Sequence, residues 1–309
     1  MVEVILAHPA RMNGEVDILG GHQEMPEIIE AQMLVDGLQQ VVGRTITKVE
    51  KLDTNNIINN EDEFKEFVEG STITVVFRVG KRPCLVLNKG GENQDNPDML
   101  GESRVVDIFL SMAGALMIDK EHKNSRVKFT LDNGQVIYYV DGRKWGRMTL
   151  RTSEQWEKKF KTSAVDALKA SDEELAKRLL EVKDKDRSMK AILMDQGIII
   201  GLGNVYAQEA LHDAGIHPQR LLKDVSPTEL DKLGTEIKVM LEESYKLGGL
   251  SMKDYLHVDG SLGEAFNITK VYRKKKCGTC GGRVDKIRQG GRSTYYCSKC
   301  QPMEVMTNA

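Results

Sequence analysis

Between about residues 44 and 150 the apolar positions recur with period two or in short bursts, the pattern of strands covered on one face or both. Thr72–Val79, Cys84–Leu87, Val105–Leu110, Ala115–Ile118, Val127–Leu131 and Val136–Val140 are the predicted strands. The last two flank Asp132-Asn133-Gly134, a hairpin turn because Asn and Gly tolerate left-handed backbone. One helix, about Glu27 to Val41, leads into this run, and the polar stretch Asn88–Glu102 reads as a loop. A β-sandwich introduced by one helix is the expectation.

After Thr152 the period becomes helical. Ser171-Asp-Glu-Glu174 is a capping-box sequence followed by the apolar residues Leu175, Leu179 and Leu180. Ser226-Pro227-Thr-Glu229 repeats the device with Pro at the first helical position, and Leu230, Leu233, Ile237, Met240 and Leu241 then form one apolar face. Helices run to about Leu256, and Asp259–Gly263 begins a linker. The fold class expected is α+β and multidomain: an extension over 1–24, a β-sandwich over 25–151, a helical domain over 152–260 and a small module over 261–309.

That module changes the picture most. Its cysteines stand as Cys277-x2-Cys280-x16-Cys297-x2-Cys300, a spacing that places four thiolates at the corners of one tetrahedron, as a single structural zinc ion requires. Disulfides are the alternative, but the rest of the chain has only Cys84, which suits a reducing cytosol. Cys84 lies in an apolar run and reads as a buried small hydrophobe. From Lys270 to Cys300, ten Lys/Arg face the one acid Asp285, a local charge of +9; the whole chain is −2, so the remainder sums to −11. A strongly positive metal-stapled module on an acidic body points to a polyanion, with nucleic acid as the expected partner. No apolar run reaches the roughly 18 residues of a membrane span, and residues 1–24 lack the basic leader and apolar stretch of a secretory signal.

Between two helical stretches sits Gly201-Leu-Gly-Asn-Val-Tyr-Ala-Gln-Glu-Ala-Leu-His-Asp-Ala-Gly-Ile-His-Pro218. Gly201 and Gly203 permit a tight turn that brings backbone N–H groups to the start of a helix near Val205, a ready anion site to which Asn204 adds an amide donor. The full string resembles the helix–two-turns–helix DNA-binding motif of the formamidopyrimidine-DNA glycosylase and endonuclease VIII family. Three further matches follow that family's order. Met25-Pro26-Glu27-Ile-Ile-Glu30 is similar to its opening segment, Lys81 in Arg78-Val-Gly-Lys81 to its strand lysine, and the cysteine module to its β-hairpin zinc finger, with Arg292 at the hairpin tip. The resemblance covers about residues 25 to 300.

The resemblance implies a base-excision repair enzyme with glycosylase and lyase steps, acting on double-stranded DNA that contains damaged bases or abasic sites. Pro26 would be the amine nucleophile, Glu27 the proton shuttle and Lys81 a phosphate contact beside the lesion. Met112, Arg143 and Trp145 would fill the void left by a flipped base. Lys190, Asn204 and Arg292 would hold phosphates, and Cys277, Cys280, Cys297 and Cys300 the zinc. A bacterial-type, cytoplasmic, nucleoid-associated monomer is the expectation. Segment Asp259–Tyr272 and the filler set lean toward oxidised purines (8-oxoguanine and formamidopyrimidines), with oxidised pyrimidines second.

Trp145 stands where the family usually has Phe, Gly142 where it has Pro, and Ile29 where it has Pro. The largest departure is that Pro26 is internal. A proline inside a peptide bond has no nucleophilic nitrogen, so residues 1–24 are expected to be absent from the mature protein, with translation starting at Met25. If they are retained, the implied product is a lesion-binding protein that does not cut.

Overall fold

The computed structural model describes residues 26–90, 102–112, 114–251 and 256–303. These form two compact units. One comprises Glu30–Thr162 and Leu250–Gly263; the other comprises Ser163–Gly249, the chain from Glu264 onward and residues 26–29.

The first unit opens with helix α1 (Ile28–Leu38), whose leading two residues belong to the other unit, and a single 3-10 turn, Gln39–Val41. Strands β1 (Ile46–Lys51), β2 (Ser71–Val79), β3 (Arg82–Lys89), β4 (Glu102–Phe109), β5 (Gly114–Ile118), β6 (Ser125–Leu131), β7 (Val136–Asp141) and β8 (Arg147–Thr152) follow. They make two four-stranded antiparallel sheets, ordered β1-β6-β7-β5 and β2-β3-β4-β8. Their inner residues share one core with α1: Leu34, Leu38, Ile46, Val49, Ile73, Leu85, Val106, Ile108, Phe129, Ile137 and Tyr139 are all buried. The sandwich with a leading helix is therefore present, and each of the six predicted strands overlaps an observed one. At the β6–β7 turn Gly134 takes φ +85°, which a side chain would resist.

Four elements escape the period-two reading. Besides β1 and β8, α2 (Glu61–Val68) buries Phe64, Phe67 and Val68, and α3 (Ser153–Phe160) buries Trp156 and Phe160 against Cys84, Val86 and Val105. Helix α3 thus lies with the sandwich, although the change of period after Thr152 groups it with the helices. Cys84 is fully buried, as its apolar run suggests. The expected loop Asn88–Glu102 falls mostly outside the described residues, as does the extension 1–24.

The second unit holds α4 (Asp172–Leu180), α5 (Met189–Leu193), α6 (Asn204–Ala214) and α7 (Pro227–Lys246). It also holds a two-residue parallel pair, β9 (Val165–Asp166) with β10 (Ile199–Ile200), and the hairpin β11 (Asp285–Gln289)–β12 (Arg292–Tyr296). Both predicted capping boxes form. Ser171 and Ser226 accept the N–H groups of Glu174 and Glu229, whose carboxylates accept the serine N–H groups in return. All five apolar residues predicted for α7 are buried. Leu180 is the exception among the apolar residues named for these helices, being 43% exposed. It stands five positions from Leu175, which on a helix turns it away from the face that Leu175 and Leu179 share.

Candidate active site and zinc centre

Pro26 and Glu27 lie just before α1 and are buried, Glu27 being 2% exposed. The Glu27 carboxylate accepts three backbone N–H groups: Gly203 at 2.8 Å, Val205 at 2.8 Å and Tyr206 at 3.3 Å. These are amides that the first turn of α6 leaves without intrahelical partners, so a negative side chain is stabilised there by bonds and dipole together. The anion site expected of the Gly201–Gly203 turn therefore exists, and the chain's own Glu27 fills it. Both glycines are needed for that approach. A methyl group on Gly203 would overlap the Glu27 carboxyl, and Gly201 combines φ +104° with a Cβ position occupied by the Ile28 side chain.

Lys190, Asn204 and Arg292 belong to the same unit as Glu27. Lys190 lies on α5, is 1% exposed, and donates from Nζ to Thr294 Oγ1 at 2.5 Å. Burial lowers its pKa to about 8, helped by the nearby Arg292 charge and opposed by Glu27. Asn204 Nδ2 donates to Ser293 O at 3.3 Å, leaving its buried Oδ1 without a partner. Arg292 stands at the start of β12, not at the hairpin apex, which is Gly290-Gly291. Its Nε has no partner, and burial lowers its pKa while Glu27 raises it. The Arg292 charge thus acts on Lys190 while the Arg292 Nε lacks a partner, an arrangement that an added anion would relieve.

The other four predicted site residues lie in the sandwich unit. Lys81 follows Gly80 (φ +55°) in the two-residue turn between β2 and β3. Met112 follows β4, and Arg143 Nη1 donates to Met112 Sδ at 3.0 Å, so these two are brought together. Trp145 is 54% exposed, an unusual state for a side chain that large. The loop carrying Arg143 and Trp145 is shaped by Asp141, which is fully buried and accepts the N–H groups of Arg143 at 2.9 Å and Gly146 at 2.8 Å. Asp141 was not singled out in the sequence, where a lone acid at a strand end carries no signal.

The four cysteine sulfurs lie within 4.8 Å of one another. Cys277 and Cys300 are 3.8 Å apart and Cys280 and Cys297 3.5 Å. Four sulfurs each about 2.3 Å from a tetrahedral centre are spaced by about 3.8 Å, whereas a disulfide requires about 2.05 Å. The donor set fits one zinc ion, held by thiolates alone and serving structure. Helix α6 anchors the segments flanking it. Glu209 accepts the N–H groups of Lys270, Val271 and Tyr272 at 2.6, 3.2 and 2.7 Å, and Gln208 Oε1 accepts that of Tyr295 at 2.5 Å. Sequence reading missed both residues. Their signal is polarity on a helix whose every side chain but one is buried.

Among the described residues no helix is long and apolar enough to cross a membrane. Three family models match: the formamidopyrimidine-DNA glycosylase N-terminal domain over 25–148, its H2TH domain over 164–255, and the zinc finger found in FPG and IleRS over 274–302. A formamidopyrimidine-DNA glycosylase of Pelotomaculum thermopropionicum is 33% identical over 298 residues, covering 91% of this chain and 100% of the relative. One from Halalkalibacterium halodurans is 35% identical over 289 residues, covering 90% and 100%. Among solved structures, a Lactococcus lactis Fpg in complex with DNA containing N7-benzyl-Fapy-dG has a TM-score of 0.76 at 24% identity, covering 90% of this chain and 100% of that one. The same organism's enzyme on abasic-site DNA also gives 0.76, covering 89% and 99%. With sandwich, helical domain and four-cysteine finger all matched along nearly its whole length, this chain belongs to the formamidopyrimidine-DNA glycosylase family of DNA-repair enzymes.

Proposed function

We propose that the protein is a base-excision DNA glycosylase with AP lyase activity, removing oxidised purines such as 8-oxoguanine and formamidopyrimidines from duplex DNA. The observation that carries this reading is the Glu27 carboxylate, fixed by three backbone amides beside Pro26 in the unit that also holds Lys190, Arg292 and the zinc finger. A carboxylate locked this way keeps its position while it gives and takes protons, which suits a shuttle on the sugar oxygen.

In the proposed reaction the secondary amine of a terminal Pro26 attacks the anomeric carbon of a flipped nucleotide. The bond to the base breaks and the base leaves with the amine proton. Glu27 then protonates the ring oxygen, the bond from that oxygen to the anomeric carbon breaks, and a cationic imine remains on the opened sugar. That cation acidifies the adjacent sugar C–H; loss of its proton expels the 3′ phosphate, and a second elimination expels the 5′ phosphate. Lys81, Lys190, Asn204 and Arg292 hold backbone phosphates, and Met112, Arg143 and Trp145 occupy the vacated stack. The zinc keeps the finger folded and takes no part in bond breaking. The enzyme would act as a cytoplasmic monomer.

The nucleophile requires that nothing precede Pro26. Mass spectrometry of the cellular protein, with borohydride trapping of a chain beginning at Pro26 on 8-oxoguanine and on thymine-glycol duplexes, tests the reading. A covalent adduct with preference for 8-oxoguanine is expected. Preference for the glycol moves the substrate to oxidised pyrimidines, and absence of any adduct leaves a lesion-binding protein.

A further inference from the structure

Helix α6 begins at the Glu27 carboxylate and ends beside the zinc centre. In its last turn His212 is 3% exposed, with Nε2 at 3.2 Å from Cys277 Sγ. The other ring nitrogen faces Asp213 Oδ1 at 3.1 Å, and the same oxygen accepts from Lys270 Nζ at 2.8 Å. The imidazole is therefore gripped on both edges and has one orientation. Cys277 is equally buried, and its backbone N–H donates to Gly282 O at 2.8 Å, which holds the backbone that carries the sulfur.

His212 is not a ligand itself: among the described residues, the group able to share one ion here is the four cysteines. A thiolate bound to zinc carries lone pairs and no hydrogen, so the hydrogen in the His212–Cys277 contact comes from the ring.

We propose that His212 is a positioning residue of the zinc centre, donating Nε2–H to the Cys277 thiolate and thereby slowing loss of the metal. A hydrogen bond to a ligating sulfur orients it and withdraws charge from it, leaving less on the sulfur for a proton or an oxidant to attack. It also joins the metal site to the helix whose other end holds Glu27. The proposal stands on the zinc site alone and does not depend on the reaction proposed above.

The test uses the full chain. His212→Phe keeps a ring but has no donor, and His212→Gln restores an N–H. Zinc transfer to a chromogenic chelator should be about 10- to 100-fold faster in His212→Phe, as loss of a ligand's hydrogen-bond partner generally costs. The thiolate-to-metal charge-transfer bands of the cobalt(II)-substituted protein should shift, and His212→Gln should recover part of both effects. Release at the unmodified rate would overturn the proposal. So would faster release with unshifted bands and no recovery in His212→Gln, which would mark simple loss of packing. Should neither variant fold, the unmodified chain loaded with NMR-active cadmium decides: scalar coupling between the metal and the His212 Nε2 proton is expected, and its absence refutes the hydrogen bond.

Discussion

Glu27 and Gly203 are bound to each other across 176 positions of sequence, the glycine N–H donating to Glu27 Oε2 at 2.8 Å. The contact exists because Gly203 has no side chain: a Cβ there would occupy the space of the carboxyl group. Gly203→Ala should therefore displace Glu27 and lower base excision by about 10²- to 10⁴-fold, the range that a positioned proton-transfer group contributes. Zinc content should not change. Excision by the alanine variant at the unmodified rate would show that the close approach is dispensable.

Glu27→Gln tests the carboxylate without crowding it. The amide keeps one acceptor oxygen, so at least one of the three bonded N–H groups loses its partner, at a cost of about 1–3 kcal/mol in stability. Single-turnover excision should fall to the background of the assay, while salt-sensitive binding to duplex DNA persists. A variant that excises as fast as the parent would remove Glu27 from the proposed chemistry.

Lys190 supplies a pH signature. Its pKa of about 8 lies below the usual lysine value, so between pH 8 and the ordinary lysine range the folded chain binds fewer protons than the unfolded one. Stability consequently rises with pH across that window, by at most about 3 kcal/mol. A bound phosphate favours the charged amine, so DNA affinity should move the other way and decline above pH 8. Lys190→Met should flatten both profiles; urea midpoints and binding titrations from pH 7 to 10 provide the check.

Asp141 gives a stability prediction away from the zinc. Asp141→Ala leaves the N–H groups of Arg143 and Gly146 without their buried acceptor, which should cost about 2–5 kcal/mol and loosen the loop that bears Trp145. Hydrogen exchange at these two amides should accelerate before the sandwich core exchanges. Protection equal to that of the parent chain would show that the carboxylate does not shape the loop.

Zinc removal should act on DNA binding first. The +9 segment depends on four thiolates for its fold, and hairpin residues Ser293, Thr294 and Tyr295 bond to Asn204, Lys190 and Gln208. Chelation should abolish the salt-dependent affinity while far-UV circular dichroism retains most of the sheet and helix signal. Undiminished affinity in the zinc-free protein would separate the finger from the DNA surface.

Much of this was legible in the linear chain for local reasons. Period-two patterning located six of the eight sandwich strands, and the Ser171/Glu174 and Ser226/Glu229 caps formed as their spacing requires, because both signals act within a few residues. The signals failed where the chemistry was mixed. Strand β8 reads Arg-Met-Thr-Leu-Arg-Thr, and α3 has two large apolar residues among eight, so each is held by the surface it meets more than by its own pattern. Leu180 failed for a related reason, since adjacency in sequence to Leu179 says nothing of its angle around the helix.

The sequence alone determined the zinc centre, the capped starts of α4 and α7 and the family, since each rests on spacing between residues close along the chain or on motifs in a set order. Only the tertiary structure decided who meets whom: that the amides of Gly203, Val205 and Tyr206 at the start of α6 are taken by Glu27, that Asp141 sculpts the Trp145 loop, and that His212 reaches Cys277. Those partners are separated by anything from one strand turn to most of the chain, and a buried polar group is satisfied by whichever complement packing delivers.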